Sequence, residues 1–221
     1  FDVTSSILRR LDVVEILTSA QMVCLHWCKV CKDASIWRTL NMGHYVDSWR
    51  YVPCDLRKIC RRAVDLSCGQ LVTRIEVGSF CDDDLLKYIT ERCPHLKSLT
   101  LRSEVKWDYL FKECNLFKEC NLLAVAIAEN MLGLLSLILD GNRLTDDGVR
   151  AILDNGCPRL QSLEIRHCHH VTLKGDFGKR CSERIKDLRF HYFSHQEFER
   201  MLEDCGGECG SASACLQRLE G

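Results

Sequence analysis

The signatures of the common enzyme classes are missing from this sequence. It holds no GxGxxG or GxxxxGK phosphate loop, no GxSxG nucleophile turn and no HExxH metal pair, so neither a glycine-lined anion cradle nor a paired nucleophile and base is in view. The chain reads as a non-enzyme without a cofactor. Charge of either sign is not in excess, 30 Lys and Arg opposing 31 Asp and Glu, which removes any global attraction to nucleic acid or to an anionic membrane. The chain opens at Phe1 without a methionine, a basic segment or an apolar core, so no secretory signal is visible and the N-terminus is expected to be cut short. Long apolar runs are scarce as well. The one stretch near bilayer length, NLLAVAIAENMLGLLSLIL at 121–139, carries Glu129 and Asn130 at its middle, where a polar or charged group is costly in hydrocarbon.

Cysteine is abundant, with sixteen in 221 residues. Disulfide frameworks belong to short secreted chains with little core. This chain is 46% hydrophobic, enough to build a core, so its cysteines are expected to be reduced thiols acting as small buried apolar groups in the nucleus and/or cytoplasm.

The first forty residues read as short helices. Val3, Ile7 and Leu11 recur at helical spacing, Asp12 is placed to cap a second helix bearing Val13, Ile16 and Leu17, and Thr18 with Gln21 fits a capping box for a third. On that third helix Val23, Cys24, Trp27, Val30 and Cys31 share a stripe, while Leu25, Lys29 and Lys32 point away. Cys24, Cys28 and Cys31 align along it, but His26 projects away from all three, so the fourth ligand of a structural zinc is lacking and a buried thiol face is expected. Helices this short bury too little to stand alone. Their remaining apolar faces must meet a partner or the domain that follows.

The segment DVTSSILRRLDVVEILTSAQMVCLHWCKVCKDASIWRTL resembles an F-box. It matches that pattern at Asp2, Val3, Ile7, Leu8, Leu11, Leu17, Val23, Cys24, Trp27, Asp33, Ser35, Ile36 and Trp37, while the family's leading Leu-Pro pair would stand just ahead of the first matched residues. The resemblance implies docking on a Skp-type adaptor, and through it on a cullin, within an SCF ubiquitin ligase. The adaptor-binding residues it implies are Val3, Ile7, Leu8, Leu11, Leu17, Val23, Cys24, Trp27 and Trp37.

A linker helix is expected over Asp55 to Leu66, with Leu56, Ile59, Ala63 and Val64 on its inner face and a stop near Gly69. Its basic edge, Arg57, Lys58, Arg61 and Arg62, has no interleaved aromatics and reads as a solvated face rather than a nucleic-acid patch. Beyond it the chain repeats. CPHLKSLTL at 93–101 returns as CPRLQSLEI at 157–165, with looser copies GLLSLIL at 133–139 and RIKDLRF at 184–190. The apolar ladder Leu96/Leu99/Leu101, Leu134/Leu137/Leu139, Leu160/Leu163/Ile165 and Ile185/Leu188/Phe190 steps by 38, 26 and 25 residues, and Ile75 and Val77 precede it by 24. Such periods signify leucine-rich repeats, each a strand plus a helix that buries its apolar side only by stacking. DDDLLKYITER at 82–92 and TDDGVRAILDNG at 145–156, the latter capped by Thr145, supply repeat helices. In this reading 121–139 divides between one repeat helix and the next strand.

The pattern resembles the cysteine-containing subclass of these repeats, with Cys93, Cys157, Cys168 and Cys181 at buried positions. To about residue 190 the chain is similar to plant F-box/leucine-rich-repeat proteins of the SKIP-like group, through CRRAVDLSCGQLV, AIAENM, GNRLTDDG, AILDNGCP and KRCSERIKDLR. The expected fold is α/β: an F-box at 1–45, a linker helix at 46–70, repeats at 71–190 that are irregular at 102–133, and a short helix with a flexible tail at 191–221. The irregularity centres on LFKECNLFKECNL at 110–122, a duplicated hexapeptide that reads as an insertion beside a lost repeat. Neither HCHH at 167–170 nor Cys205, Cys209 and Cys215 in the tail is expected to bind metal strongly.

Residues alternating with the buried strand positions should line the open sheet face: Ser98, Thr100, Arg102, Ser136, Ile138, Asp140, Ser162, Glu164, Arg166, Asp187 and Arg189. Of these, Thr100, Arg102, Ile138, Asp140, Glu164, Arg166 and Arg189 are expected to face a protein substrate, since mixed polarity suits a protein better than a small molecule. Two functions compete, the substrate-recognition subunit of an SCF-type ligase and a repeat scaffold without ligase docking. Nucleic acid and membrane are not expected as partners.

Overall fold

The computed structural model describes residues 2–45, 54–103, 121–168 and 170–191. Three short helices come first: α1 (Asp2–Leu8), α2 (Val13–Thr18) and α3 (Leu25–Cys31). Strand β1 (Thr39–Met42) and helix α4 (Leu56–Leu66) follow, and then strand and helix alternate: β2 (Arg74–Val77), α5 (Asp83–Arg92), β3 (Ser98–Arg102), α6 (Leu122–Asn130) and β4 (Ser136–Asp140). Helix α7 (Asp146–Ala151) runs into a π turn at Ile152–Gly156, and β5 (Ser162–Arg166), α8 (Gly175–Arg184) and β6 (Asp187–His191) complete the described array.

Local chemistry sets most of these boundaries. The Asp12 carboxylate accepts from Val14 N–H and Glu15 reaches back to the Asp12 N–H at 3.1 Å, a reciprocal capping box that starts α2. Asp55 caps α4 through Arg57 and Lys58 N–H, and Asp82 caps α5 through Leu85 N–H. The box expected at Thr18 and Gln21 does not form. The Thr18 hydroxyl instead donates to the Val14 carbonyl and the Gln21 amide to that of Leu17, so both side chains close α2 rather than open α3. A 3₁₀ turn at Ala20–Met22 intervenes, and α3 starts after Cys24. Thr145 precedes α7 as expected but its side chain makes no cap bond; its N–H donates to Asn121 Oδ1, tying α7 to the start of α6.

The six strands form one parallel sheet in chain order. Its register is the sequence ladder: Ile75, Leu99, Leu137, Leu163 and Leu188 pair in one row, and Val77, Leu101, Leu139, Ile165 and Phe190 in the next. Ile75, Leu99, Leu137 and Leu139 are fully buried beneath helices stacked in the order α4, α5, α6, α7. A strand-helix unit whose neighbours are its own sequence neighbours is a solenoid, and its core comes from stacking. Gly156 shows how close that stacking is, since a Cβ there would overlap the Ala128 backbone of α6. Strands β3 and β4 pair directly over five residues each, so the 38-residue interval is a single step of the array. The duplicated hexapeptide, apart from Asn121 and Leu122, lies outside the described residues, as does the tail helix expected near Phe198.

One strand was not anticipated. β1 adds a further rung, Leu40 opposite Ile75 and Met42 opposite Val77, both fully buried. Trp37, Leu40 and Met42 repeat the spacing of Leu96, Leu99 and Leu101, with tryptophan and methionine in place of leucine. The sheet thus begins inside the stretch assigned to the F-box. Residues 121–139 divide between α6 and β4, and no helix of the described residues is long and apolar enough to cross a membrane.

Candidate functional site

Two surfaces stand out, one on the N-terminal helices and one on the sheet. On the first, Val3 is 74% and Ile7 42% exposed on α1, and Met22, Val23 and Leu25 are 76%, 63% and 83% exposed at the entry to α3. The Thr4 hydroxyl lies 3.3 Å from His26 Nε2, which lays α1 beside α3. Five large apolar side chains are thus left to solvent on α1 and at the entry to α3, and burying each would contribute roughly 1.5 kcal/mol or more.

The structure divides the nine expected adaptor-binding residues. Val3, Ile7, Val23 and Cys24 are exposed, Leu11 and Trp27 are half-buried, and Leu8, Leu17 and Trp37 are interior. The interior three therefore support the face instead of forming it. Trp37 donates its Nε1–H to the Cys31 carbonyl at 2.9 Å, which fixes α3 against the first rung of the sheet. Two residues were missed: Leu25, expected on a solvated back, and Met22. Because α3 starts only after Cys24, Val23 and Cys24 stand exposed at its entry instead of sharing a stripe with Val30 and Cys31, while Leu25 points away as expected. On the same helix Val30 and Cys31 turn into the core, and burial holds the Cys31 thiol neutral by raising its pKa.

The second surface is the open sheet face. Its middle row runs Asn41, Glu76, Thr100, Ile138, Glu164, Arg189, and beside it lie Arg102, Asp140, Arg166 and His191. Arg102, Ile138, Asp140 and Arg166 are partly exposed and Arg189 is exposed. Thr100 departs from expectation, being fully buried with its hydroxyl unpartnered, and Glu164 is only 7% exposed. The 3₁₀ turn Gly43–Tyr45 lies against β2 and β3, with Gly43 so close to Glu76 that a side chain there would overlap its carboxylate. A covered first half of the sheet was not legible from strand alternation alone.

Ion pairs order the remainder. Glu76 takes Arg74 at 2.8 Å and Arg102 at 3.1 Å, Glu164 takes Arg166 directly with His191 4.0 Å away, and His167 Nδ1 sits 2.7 Å from Asp140. The covering turn is itself anchored to α2. Tyr45 donates to Asp12 at 2.9 Å and His44 Nε2 lies 2.9 Å from the same carboxylate, and burial together with Asp12 drives the Tyr45 phenol pKa up.

Cysteines occupy repeat positions. The Asn142 amide donates to the Leu101 and Asp140 carbonyls, and one repeat later the Cys168 thiol makes the corresponding contacts to the Leu139 and Arg166 carbonyls at 3.6 and 3.2 Å. Cys93, Cys157, Cys168 and Cys181 are all buried, and desolvation pushes the thiols of Cys93 and Cys168 up to about 12 and that of Cys157 to about 11. Such thiols are packing groups and not nucleophiles. Among the described residues no three His, Cys, Asp or Glu side chains gather closely enough to hold a metal ion.

A parallel, chain-ordered sheet with stacked helices, and with Asn142 and Cys168 at equivalent positions in the turns after β4 and β5, defines a leucine-rich-repeat protein, here with a helical N-terminal module. No protein-family model matches the chain. It is similar to putative F-box/LRR-repeat protein 23 of Arabidopsis thaliana, 39% identical over 84% of this chain and 51% of that protein. F-box protein SKIP19 of the same plant is 37% identical over 85% of this chain and 74% of its own length, and putative F-box/LRR-repeat protein 21 is 35% identical over 85% and 79%. The chain thus spans about half the first relative and about three quarters of the other two. It belongs to the plant F-box/leucine-rich-repeat family.

Proposed function

We propose that the chain is the substrate-recognition subunit of an SCF-type E3 ubiquitin ligase. Its N-terminal helices dock on a Skp-type adaptor, and through it on a cullin, while the sheet face binds the protein to be ubiquitinated. The observation that carries this reading is the pair of separate surfaces: an apolar one on α1 and α3, and a polar, ion-paired one on β3–β6. In this reading the chain makes and breaks no bond. It holds a substrate near the transferring enzyme, which turns a bimolecular encounter into a tethered one. The eleven cysteines of the described residues are all free thiols, which suits the reducing nucleus and/or cytoplasm.

The test is calorimetric titration of the chain with a plant Skp-type adaptor, with and without Leu-Pro placed ahead of Phe1. Binding that strengthens with Leu-Pro and weakens about thirtyfold in Leu25→Asp is the expected result. No detectable binding even with Leu-Pro, while circular dichroism shows the repeats folded, replaces this reading with that of a repeat scaffold without ligase docking.

A further inference from the structure

We infer that the sheet face from β3 to β6 receives an acidic, extended segment of its protein partner, an inference that rests on the recognition role proposed above. The formal charges on this face nearly balance, but they are not at equal depth. The Glu164 side chain is 9% exposed, whereas Arg166 above it is 34% and His191 53% exposed. Glu76 is 8% exposed beneath Arg102 at 42% and Arg74 at 50%. Asp187, at 49%, is again less exposed than its partner Arg189 at 59%. The exception is Asp140, 23% exposed against 12% for His167, and it is held by that histidine at 2.7 Å.

A carboxylate sunk beneath a half-exposed guanidinium forms a dipole whose positive end meets the partner first. An approaching carboxylate then reaches the guanidinium N–H donors before it feels the buried anion, and distance together with screening favours the nearer group. An approaching ammonium meets the same cations and is repelled. The register row Ser98, Ser136 and Ser162 lies on the far side of Thr100 and Glu164 from Arg102 and Arg166, about 13 Å along the strands, and there Ser162 donates to Asp187. Ile138 lies partly exposed between these rows and gives the segment an apolar contact.

The spacing indicates what the segment looks like. Arg102 and Arg166 lie two strands apart in the register, hence about 10 Å across a sheet with roughly 4.8 Å between strands. Acidic residues three apart on a polyproline II segment rise about 9 Å and face the same way. A helix spans that distance on one face only at seven-residue spacing, about 10.5 Å, and so offers the arginines fewer carboxylates per residue. The occupant favoured here is therefore an extended acidic segment with a carboxylate at every third position.

Fluorescence anisotropy with a labelled Glu-Pro-Pro repeat peptide, and with its Lys-Pro-Pro counterpart, tests this on the full chain. The expected result is binding of the glutamate peptide alone, weakened about fivefold or more by Arg102→Gln and by Arg189→Glu and unchanged by Arg180→Glu on α8. Arg166→Gln is avoided because it would uncover the buried Glu164, and circular dichroism confirms that each variant folds. Equal binding of the lysine peptide, equal loss in Arg180→Glu, or no binding of the glutamate peptide overturns the inference. Adaptor titration reads the other surface, so a chain that binds adaptor but not the acidic peptide refutes this inference alone.

Discussion

The sheet and the N-terminal helices solve the same problem in opposite ways. Along β2–β5 each inner-row side chain meets its equivalent on the next strand and is closed off from water, so the array supplies its own core. Along α1 and α3 each helix spans seven residues, too few to bury more than one side, and Val3, Val23 and Leu25 remain in solvent. Apolar surface that a repeat buries against its neighbour stays exposed on the helices, and in the proposed function an adaptor covers it.

The comparison breaks most directly in the sheet. Leu137→Ala at a fully buried rung should cost about 3 kcal/mol, because the cavity is walled by two strands and cannot collapse, and thermal or urea denaturation measures it. An effect below about 1 kcal/mol would mean the rungs are not a cooperative core. The opposite behaviour is expected at Leu25. There Leu25→Asp should leave the melting temperature nearly unchanged yet weaken adaptor binding about thirtyfold, roughly 2 kcal/mol, since an exposed side chain contributes only when a partner covers it.

At the joint between the two regions the test is Asp12→Ala. It removes the α2 cap and the partner of Tyr45 together, and a loss of about 1.5 kcal/mol is expected in denaturation. The smallest effect concerns pH. The Cys157 thiol pKa, about 11 when folded, stands above its unfolded value of about 8.5, so its contribution is complete below about pH 8.5 and is lost as pH rises towards 11. Between pH 8 and about 9.3 the stability of the wild-type chain should therefore fall about 1 kcal/mol further than that of Cys157→Ala, read as a difference in urea midpoints.

The legible parts were those written as repeats. Leu99/Leu101, Leu137/Leu139 and Leu163/Ile165 sit at fixed offsets from one another, and the register follows those offsets. β1 was hidden because its rung is spelled Trp37, Leu40 and Met42, and because the tryptophan had another explanation as the end of the F-box pattern. The start of α3 was misread for a different reason. Thr18 and Gln21 satisfy a capping pattern in sequence, but their side chains find carbonyls one turn back, and no local rule ranks those two options. The depth of Thr100 and Glu164 depends on what lies over the sheet, which strand alternation does not encode.

The Asp12 carboxylate has a mechanical consequence. It is shared by the first residues of α2 and by the His44–Tyr45 turn leaning on the sheet, and Trp37 pins α3 beside it. Six strands at about 4.8 Å place β6 roughly 24 Å from β1, so the sheet acts as a lever arm whose fulcrum is this cluster. A rotation of about 10° at the fulcrum would sweep the far strand through about 4 Å. The direction in which β6 points is thus set by the stiffness of four side chains, Asp12, Trp37, His44 and Tyr45.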